Sequence, residues 1–277
     1  MLILLPATHA LALAACAGLF GTWVFRLAGL PHPYEGTTTW RRLLGWTLTA
    51  ALASHLAWLV LQTAEIADSE SLAGTWEAIP TVLMATHFGW LFLGRLAGLA
   101  LMLIAMMGHR DQLGLAASLG LLLADALIGH PFSVDSPMYL LTLSVALHSL
   151  AAGLWLGQLP ALWLFIGTAE TAAVRMALQR FTPFGITAVA LLAVTASVQF
   201  RLLAVGGSEI YLKLIAAKSL LFVLLLGLAC LNRFVLLPAL SRSPARLALR
   251  LSVLAEMMIG VAALYLACRL GATPFRS

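Results

Sequence analysis

The sequence predicts an all-α membrane protein, a polytopic helix bundle, from its hydrophobicity, its shortage of charge and the spacing of its apolar stretches. Of the 277 residues, 62% are hydrophobic and 10% are charged, and the mean hydropathy is +0.99. A soluble domain carries about 25% charged residues, so this chain has too few charges to coat a water-soluble globule. Three cysteines are also too few, and odd in number, for a secreted disulfide scaffold.

The number of spans follows from the length of the apolar stretches. A membrane helix needs roughly 20 apolar residues to cross about 30 Å of hydrocarbon, and backbone groups away from water favour helices over open strands. The sequence contains about eight such stretches, and the fourth is the shortest. They lie at about 8–29, 42–64, 87–107, 113–129, 139–166, 182–203, 212–234 and 246–270. We therefore expect one transmembrane domain over residues 1–277.

The distribution of basic residues predicts the orientation of the bundle. The connections after spans one, three, five and seven carry Arg41, Arg42, Arg110, Arg175, Arg180 and Arg242. The connection after span two carries four acidic residues and no basic one, and only Arg201, Lys213, Arg269 and Arg276 disagree. Basic connections stay in the cytoplasm, so both termini are expected outside. The arginines form no continuous basic face, which argues against a nucleic-acid partner despite a net charge of +5.

Histidines are concentrated at the side predicted to face outward. Five of the seven fall in that half of the membrane, each on a different stretch: His9, His55, His87, His130 and His148. A single intramembrane histidine is most often a side chain bonded to a neighbouring carbonyl. Five that converge favour a metal or haem site, because ligands from separate helices build such sites in bundles.

Neighbouring residues favour copper among the transition metals. Met84 lies three residues before His87, so a thioether and an imidazole share one face if the segment is helical. Methionine and histidine without paired cysteines favour copper over structural zinc. Asp125, five residues before His130, is expected to orient a ligand histidine or to pair with an arginine. The single cysteines, Cys16, Cys230 and Cys268, are expected to be core residues.

Two further interpretations concern polar residues inside the spans. Arg95, Lys218 and Glu256 are the charges there, and we favour a structural ion-pair network, in which Glu256 neutralises one of the others, over a proton relay. His55 and His148 lie at matching depth, which keeps a b-type haem with two axial histidines as an alternative to copper. The sequence has no nucleotide-binding, protease or hydrolase motif, so an enzyme is not expected.

Several short motifs resemble the CopD family of bacterial copper-resistance membrane proteins. The stretch from Leu147 to Gly157, with His148 and then Trp155-Leu-Gly, is similar to a signature of that family. The motifs touch five of the eight spans, although Gln158 stands where the family usually has a glycine and His87 where it usually has another polar residue. The remaining matches are His9 with Gly18 and Phe25, Thr86 with Gly89 and Arg95, Gly129-His130, and the run from Tyr211 through Lys218 to Asn232-Arg233 and Pro238.

The resemblance implies an inner-membrane protein that receives copper from the periplasmic side and moves it across or into the membrane. It also implies copper as the cargo, a small periplasmic copper-binding protein as a partner, and haem b as the alternative cofactor. The predicted outer site consists of His9, His130 and His148, with His87 and Met84 as additional ligands and His55 as a deeper one. Asp125, Arg95 and Lys218 are expected to support it.

Overall fold

The computed structural model describes residues 3–30, 38–127, 138–203 and 208–273. Within these ranges the chain consists of helices and turns and contains no strand. The ten α-helices are α1 (Leu4–Val24), α2 (Thr38–Ile66), α3 (Leu72–Ala85), α4 (His87–Met107), α5 (Asp111–Leu123), α6 (Met138–Trp155), α7 (Leu159–Thr168), α8 (Thr171–Leu203), α9 (Glu209–Leu231) and α10 (Ser243–Ala272). Short π-helical or 3₁₀ segments extend four of them: Phe25–Gly29 after α1, Ala124–Leu127 after α5, Leu156–Gln158 after α6 and Asn232–Leu236 after α9.

Seven helices in the described ranges are long and apolar enough to cross a membrane, which confirms the polytopic helical bundle. They correspond to seven of the eight predicted stretches. The predicted fourth stretch forms α5 and its 3₁₀ extension, 13 and 4 residues long. At the rises of these helices that segment measures roughly 28 Å, close to the thickness of the hydrocarbon. The eighth span and the orientation of the termini remain predictions.

Helix α8 begins earlier than the hydrophobicity indicated. The predicted span starts at residue 182, but the helix starts at Thr171, so Arg175 and Arg180 lie in its first turns rather than in a connection. The apolar residues of a helix mark the part that lies in lipid. The helix itself can extend further, for as long as its backbone N–H and C=O groups hydrogen-bond to each other. Arg180 uses this extension to donate a 2.7 Å hydrogen bond to the carbonyl oxygen of Leu30 at the end of α1.

Helix α1 is the centre of the bundle. In its most apolar window 78% of the residues are buried, against 6% for the corresponding window of α9. The 3₁₀ turn after α6 crosses α1 so closely that a Cβ on Gly157 would lie 2.0 Å from the carbonyl oxygen of Ala17. Only glycine fits there, which explains the glycine of the Trp155-Leu-Gly157 motif.

The corner between α3 and α4 explains a second motif. Thr86 caps α4, because its hydroxyl accepts a 2.9 Å hydrogen bond from the backbone N–H of Gly89. A Cβ on Gly89 would lie 2.2 Å from the carbonyl oxygen of Val82 in α3, so the two helices meet at this glycine. The Thr86-x-x-Gly89 spacing thus fixes the entry of α4, and Arg95 lies six residues further along that helix.

Candidate functional site

A buried ion pair joins α4 to the end of the α5 segment. Arg95, only 1% exposed, donates from Nη2 to Oδ1 of Asp125 at 2.5 Å. The guanidinium also lies over the ring of Trp58 on α2, with Cζ 5.3 Å from the ring centroid. Removing one charge of a buried pair leaves the other uncompensated, which is strongly destabilising. The prediction that Arg95 supports the bundle is thus given a physical basis, and Asp125 pairs with an arginine, one of its two expected roles.

His9 on α1 is the second partner of Asp125. Its Nε2 donates to the same Oδ1 atom at 3.1 Å, and its ring stacks on Trp58 with a centroid separation of 4.1 Å and an interplanar angle of 5°. The thiol of Cys268 on α10 lies close enough to His9 to act on it electrostatically. About 20% of the His9 side chain is exposed, so this imidazole is reachable from outside the cluster.

His55 on α2 is fully enclosed in the same cluster. Its Nδ1 donates to the carbonyl oxygen of Ala51 at 2.7 Å, so the neutral ring presents Nε2 as an acceptor. Nη1 of Arg95 lies 3.4 Å from that atom, and Sγ of Cys16 lies 4.0 Å from it. A cation bound at Nε2 would meet the guanidinium charge, so these neighbours weigh against the predicted deeper metal ligand at His55.

His148 belongs to a separate polar cluster on α6 and α8. The hydroxyl of Thr195 bonds the carbonyl oxygen of Leu191 at 2.6 Å, so its hydrogen is used there and its oxygen accepts from Nδ1 of His148 at 2.8 Å. The neutral ring then presents Nε2 as its lone-pair atom. Lys218 on α9 acts electrostatically on His148, which places a positive charge near this imidazole.

The remaining predicted ligands lie at the rim of the bundle or outside the described residues. Met84 is 64% exposed on α3. His87 is exposed at the start of α4, and its Nε2 lies 3.2 Å from the carbonyl oxygen of Leu127. His130 lies outside the described residues. Within the part of the chain that the structure describes, no three or more His, Cys, Asp or Glu side chains are grouped to hold a metal ion.

The expectation that Glu256 neutralises Arg95 or Lys218 is not met, because its side chain bonds an amide instead. It lies in the middle of α10, 3% exposed, and its Oε1 accepts a 2.6 Å hydrogen bond from Nδ2 of Asn232. Arg95 has Asp125 as its partner instead. The sequence showed that all these charges were inside the bundle but could not show which helices are neighbours. Helix α4 is not among the elements that pack extensively against α10, and Lys218, although on the neighbouring α9, lies 14 residues before Asn232, toward the other end of that helix.

Sequence reasoning missed four residues of these clusters, namely the thiols of Cys16 and Cys268, Trp58 and Thr195. Both thiols are buried, as expected of core residues. Cys16 contacts His55, and Cys268 lies near enough to His9 to act on it electrostatically. Cys16 follows His9 by seven residues, a spacing that repeats on one face of a helix and was the available signal. No comparable spacing links Cys268 to His9, because they lie at opposite ends of the chain.

The two histidines of the haem alternative do not share a site. His55 contacts Arg95, Cys16 and Trp58, whereas His148 contacts Thr195 on α8. A haem between two axial histidines needs both Nε2 atoms directed at one space. One of these atoms faces a guanidinium, so this donor set does not fit a haem, and we derive no electron-transfer step from it.

The fold and the clusters define a polytopic helical membrane protein whose histidines are held by charged and hydroxyl side chains within the bundle. The chain belongs to the copper resistance protein D family. A model described as the copper resistance protein D-like N-terminal domain matches residues 1–137, and one described as copper resistance protein D matches residues 175–270. Neither a curated protein nor a solved structure matches the chain.

Proposed function

We propose that this protein accepts copper at the end of the bundle that carries His9 and moves it across or into the bacterial inner membrane. The observation that supports the proposal most directly is the position of the His9 ring between a carboxylate and a thiol. Asp125 accepts from Nε2, and the thiol of Cys268 lies near enough to act on the imidazole electrostatically. A carboxylate that holds one ring nitrogen orients the imidazole for a metal at the other.

The donor types at His9 suit Cu(I). Thiolate and imidazole are the ligands that copper in this oxidation state prefers, and two of them make a weak site that can release its ion. The charge of Asp125 partly offsets that of Arg95, so the approach of a cation is less opposed at His9 than at His55. We keep His130 as a third ligand, since it follows Leu127 by three residues and His87 contacts Leu127.

His148 is proposed as a second and weaker station. Its Nε2 is left for a ligand while Thr195 holds Nδ1, and the charge of Lys218 near the imidazole favours release of a bound cation. Met84 and His87, exposed at the rim, are proposed to meet the ion first. Handover from a small periplasmic copper-binding protein fits that position. Copper would pass between these groups by ligand exchange, and no covalent chemistry is needed.

Copper titration of the purified full-length protein tests the proposal. We expect His9→Asn to weaken Cu(I) binding, measured by competition with a chromophoric chelator, by about 10–100-fold. His109→Asn is the matched control. His109 lies two residues beyond the C-terminal end of α4, away from His87 at its N-terminal end, and it contacts Arg41. Asparagine also tolerates the positive φ of 53° at that position.

A second pair of variants tests the thiol. Cys268→Ser is expected to weaken Cu(I) binding, whereas Cys230→Ser, which changes an exposed thiol on α9, is not. A wild-type protein that binds no copper would refute the proposal, and so would wild-type affinity in both His9→Asn and Cys268→Ser. A Soret band in the purified protein would instead favour the haem alternative.

The affinity is also expected to depend on pH. A metal ion binds the neutral imidazole and the thiolate, so protons and copper compete for His9 and Cys268. Cu(I) affinity should therefore fall as the pH falls from about 8 to about 6. The dependence should be weaker in His9→Asn, and a pH-independent affinity of the wild type would contradict this assignment.

A further inference from the structure

We propose that Glu256 and Asn232 form a proton-binding site inside the membrane, at which Glu256 takes up and releases a proton. The pair lies on α10 and at the start of the π-helical extension of α9, apart from the histidine clusters. Glu256 is 13 residues from one end of α10 and 16 from the other, roughly 20 Å and 24 Å along the helix. Carboxyl groups at such depth are costly and mark proton or ion pathways.

The hydrogen bonds of Asn232 are incomplete in a way that protonation of Glu256 would correct. Its Nδ2 donates to Oε1 of Glu256 at 2.6 Å, but its Oδ1 is buried and accepts no hydrogen bond from the described part of the chain. The carboxylate has no hydrogen to offer to that oxygen. A protonated Glu256 has one, and an acid and an amide form a cyclic pair with two hydrogen bonds. The same holds if the O and N atoms of the amide are exchanged. An amide oxygen would then face Oε1 of Glu256, and a hydrogen bond between these two oxygens again requires a proton on the carboxyl group.

Ser252 adds a second unsatisfied group to the same helix. It lies one turn before Glu256 on α10, it is 8% exposed, and its hydroxyl has no hydrogen-bond partner among the described residues. Residues four apart share one face of a helix. The face of α10 that carries Glu256 therefore holds a second polar group whose bonding capacity is unused.

No basic side chain in the described ranges forms an ion pair with Glu256. Helix α10 packs mainly against α9 with its π-helical extension, α1, α7 and the 3₁₀ turn before α7. Neither α7 nor that turn carries a titratable side chain. The titratable groups of the other elements and of α10 itself are Glu209, Tyr211, Lys213, Lys218, Cys230, Arg233, His9, Cys16, Arg246, Arg250, Tyr265, Cys268 and Arg269.

The two arginines that precede Glu256 on α10 contact other groups, although Nε of Arg250 is buried without a hydrogen-bond partner in the described ranges. Arg246 donates to the carbonyl oxygens of Ile166 and Ala169, and Arg250 lies 4.1 Å from the ring centroid of Trp163. Arg233 is exposed. The other charges lie toward the opposite end of the bundle, where Lys213 pairs with Glu209 and His9 with Asp125. A charged carboxylate in an apolar surrounding without a neighbouring cation is costly, so binding a proton, which makes the group neutral, is favoured.

Labelling with dicyclohexylcarbodiimide tests this site in the purified full-length protein. The reagent is apolar and reacts with protonated carboxyl groups: the acid O–H adds across one C=N bond, and the acyl group then shifts from oxygen to nitrogen to give a stable N-acylurea. Peptide mass spectrometry should find this adduct on Glu256, more of it as the pH is lowered, and none in Glu256→Gln. The exposed residues Glu65 and Glu70 serve as internal controls for reagent reaching water-facing carboxyls.

Infrared difference spectroscopy keeps the test decisive if the reagent cannot reach the pair. Lowering the pH should produce a carboxylic-acid C=O band that shifts in D₂O in the wild type and is missing in Glu256→Gln. The proposal is overturned if the amount of adduct on Glu256 or the intensity of its C=O band is the same at every pH. It is also overturned if the wild type shows neither the adduct nor the band. Neither readout involves copper, so a failure of copper binding and a failure of this site are separate results.

Discussion

Two regions of the molecule each hold a carboxylate inside the bundle, and the partners of the two carboxylates differ. Around α1, Asp125 accepts from Arg95 on α4 and from His9 on α1, and Trp58 on α2 stacks on the His9 ring. Between α9 and α10, Glu256 has an amide as its hydrogen-bond partner and no cation within ion-pair distance in the described ranges. The most apolar window of α1 is 78% buried, whereas that of α9 is 6% buried.

The two carboxylates differ in whether their charge is fixed: that of Asp125 is held by Arg95, whereas that of Glu256 can be neutralised by a proton. A carboxylate with a guanidinium at hydrogen-bond distance stays ionised, and the pair then holds helices together. A carboxylate that has an amide alone can gain a proton without breaking an ion pair. The first region is therefore suited to position ligands at a fixed place, and the second to respond to the proton concentration.

The largest expected effect is the loss of the ion pair of the first region. Arg95→Met leaves the charge of Asp125 without its strongest partner and should lower the free energy of unfolding by about 3–5 kcal/mol. Thermal unfolding in detergent measures it. Arg26→Met is the matched control, because its pair with Asp111 is partly exposed and is expected to contribute less than about 1 kcal/mol. A double variant with Asp125→Asn should recover part of the loss.

Packing density should differ between the regions in the same direction. Gly157→Ala puts a methyl group against the backbone of α1 and should cost about 1–3 kcal/mol. Gly227→Ala in α9 adds a methyl group that meets no atom of the described residues within 4 Å, and it should stabilise the helix by up to about 1 kcal/mol. Unfolding midpoints of both variants measure this. Equal effects would mean that α1 and α9 are packed alike.

The two carboxylates should also differ when each is replaced by its amide. Glu256→Gln removes no ion pair and should change the free energy of unfolding by less than about 1 kcal/mol. Asp125→Asn leaves Arg95 buried without its counter-ion and should cost several times more. Similar losses in the same unfolding assay would remove the distinction between a compensated and an uncompensated charge.

The smallest effect concerns His148, which lies in neither region. Thr195→Val deletes the hydroxyl that accepts from Nδ1 of His148 and should cost about 1 kcal/mol. Ser197→Ala, two residues further along α8, removes an exposed hydroxyl that bonds the carbonyl oxygen of Ala193 on the same helix, and it should be close to neutral. Equal stability of the two variants would show that the His148–Thr195 bond contributes nothing.

Much of the fold was predictable because hydrophobicity decides it locally. Seven of the eight predicted stretches are long apolar helices, and Arg95 is buried where the Thr86-x-x-Gly89 motif indicated. The start of α8 was not predictable from hydrophobicity, since a helix can continue beyond the apolar segment. The partner of Asp125 was left open between a histidine and an arginine, and it is both.

The sequence by itself determined the class of protein, the helical spans and the side chains that are out of place in lipid, because these depend on composition along one segment at a time. The tertiary structure alone decided which of those side chains meet. It brings His9 to Cys268 across almost the whole chain, and it gives Asp125 rather than Glu256 to Arg95. The physical reason is that charges and ligands interact over a few ångströms, whereas the order of the helices along the chain does not show which helices pack against each other.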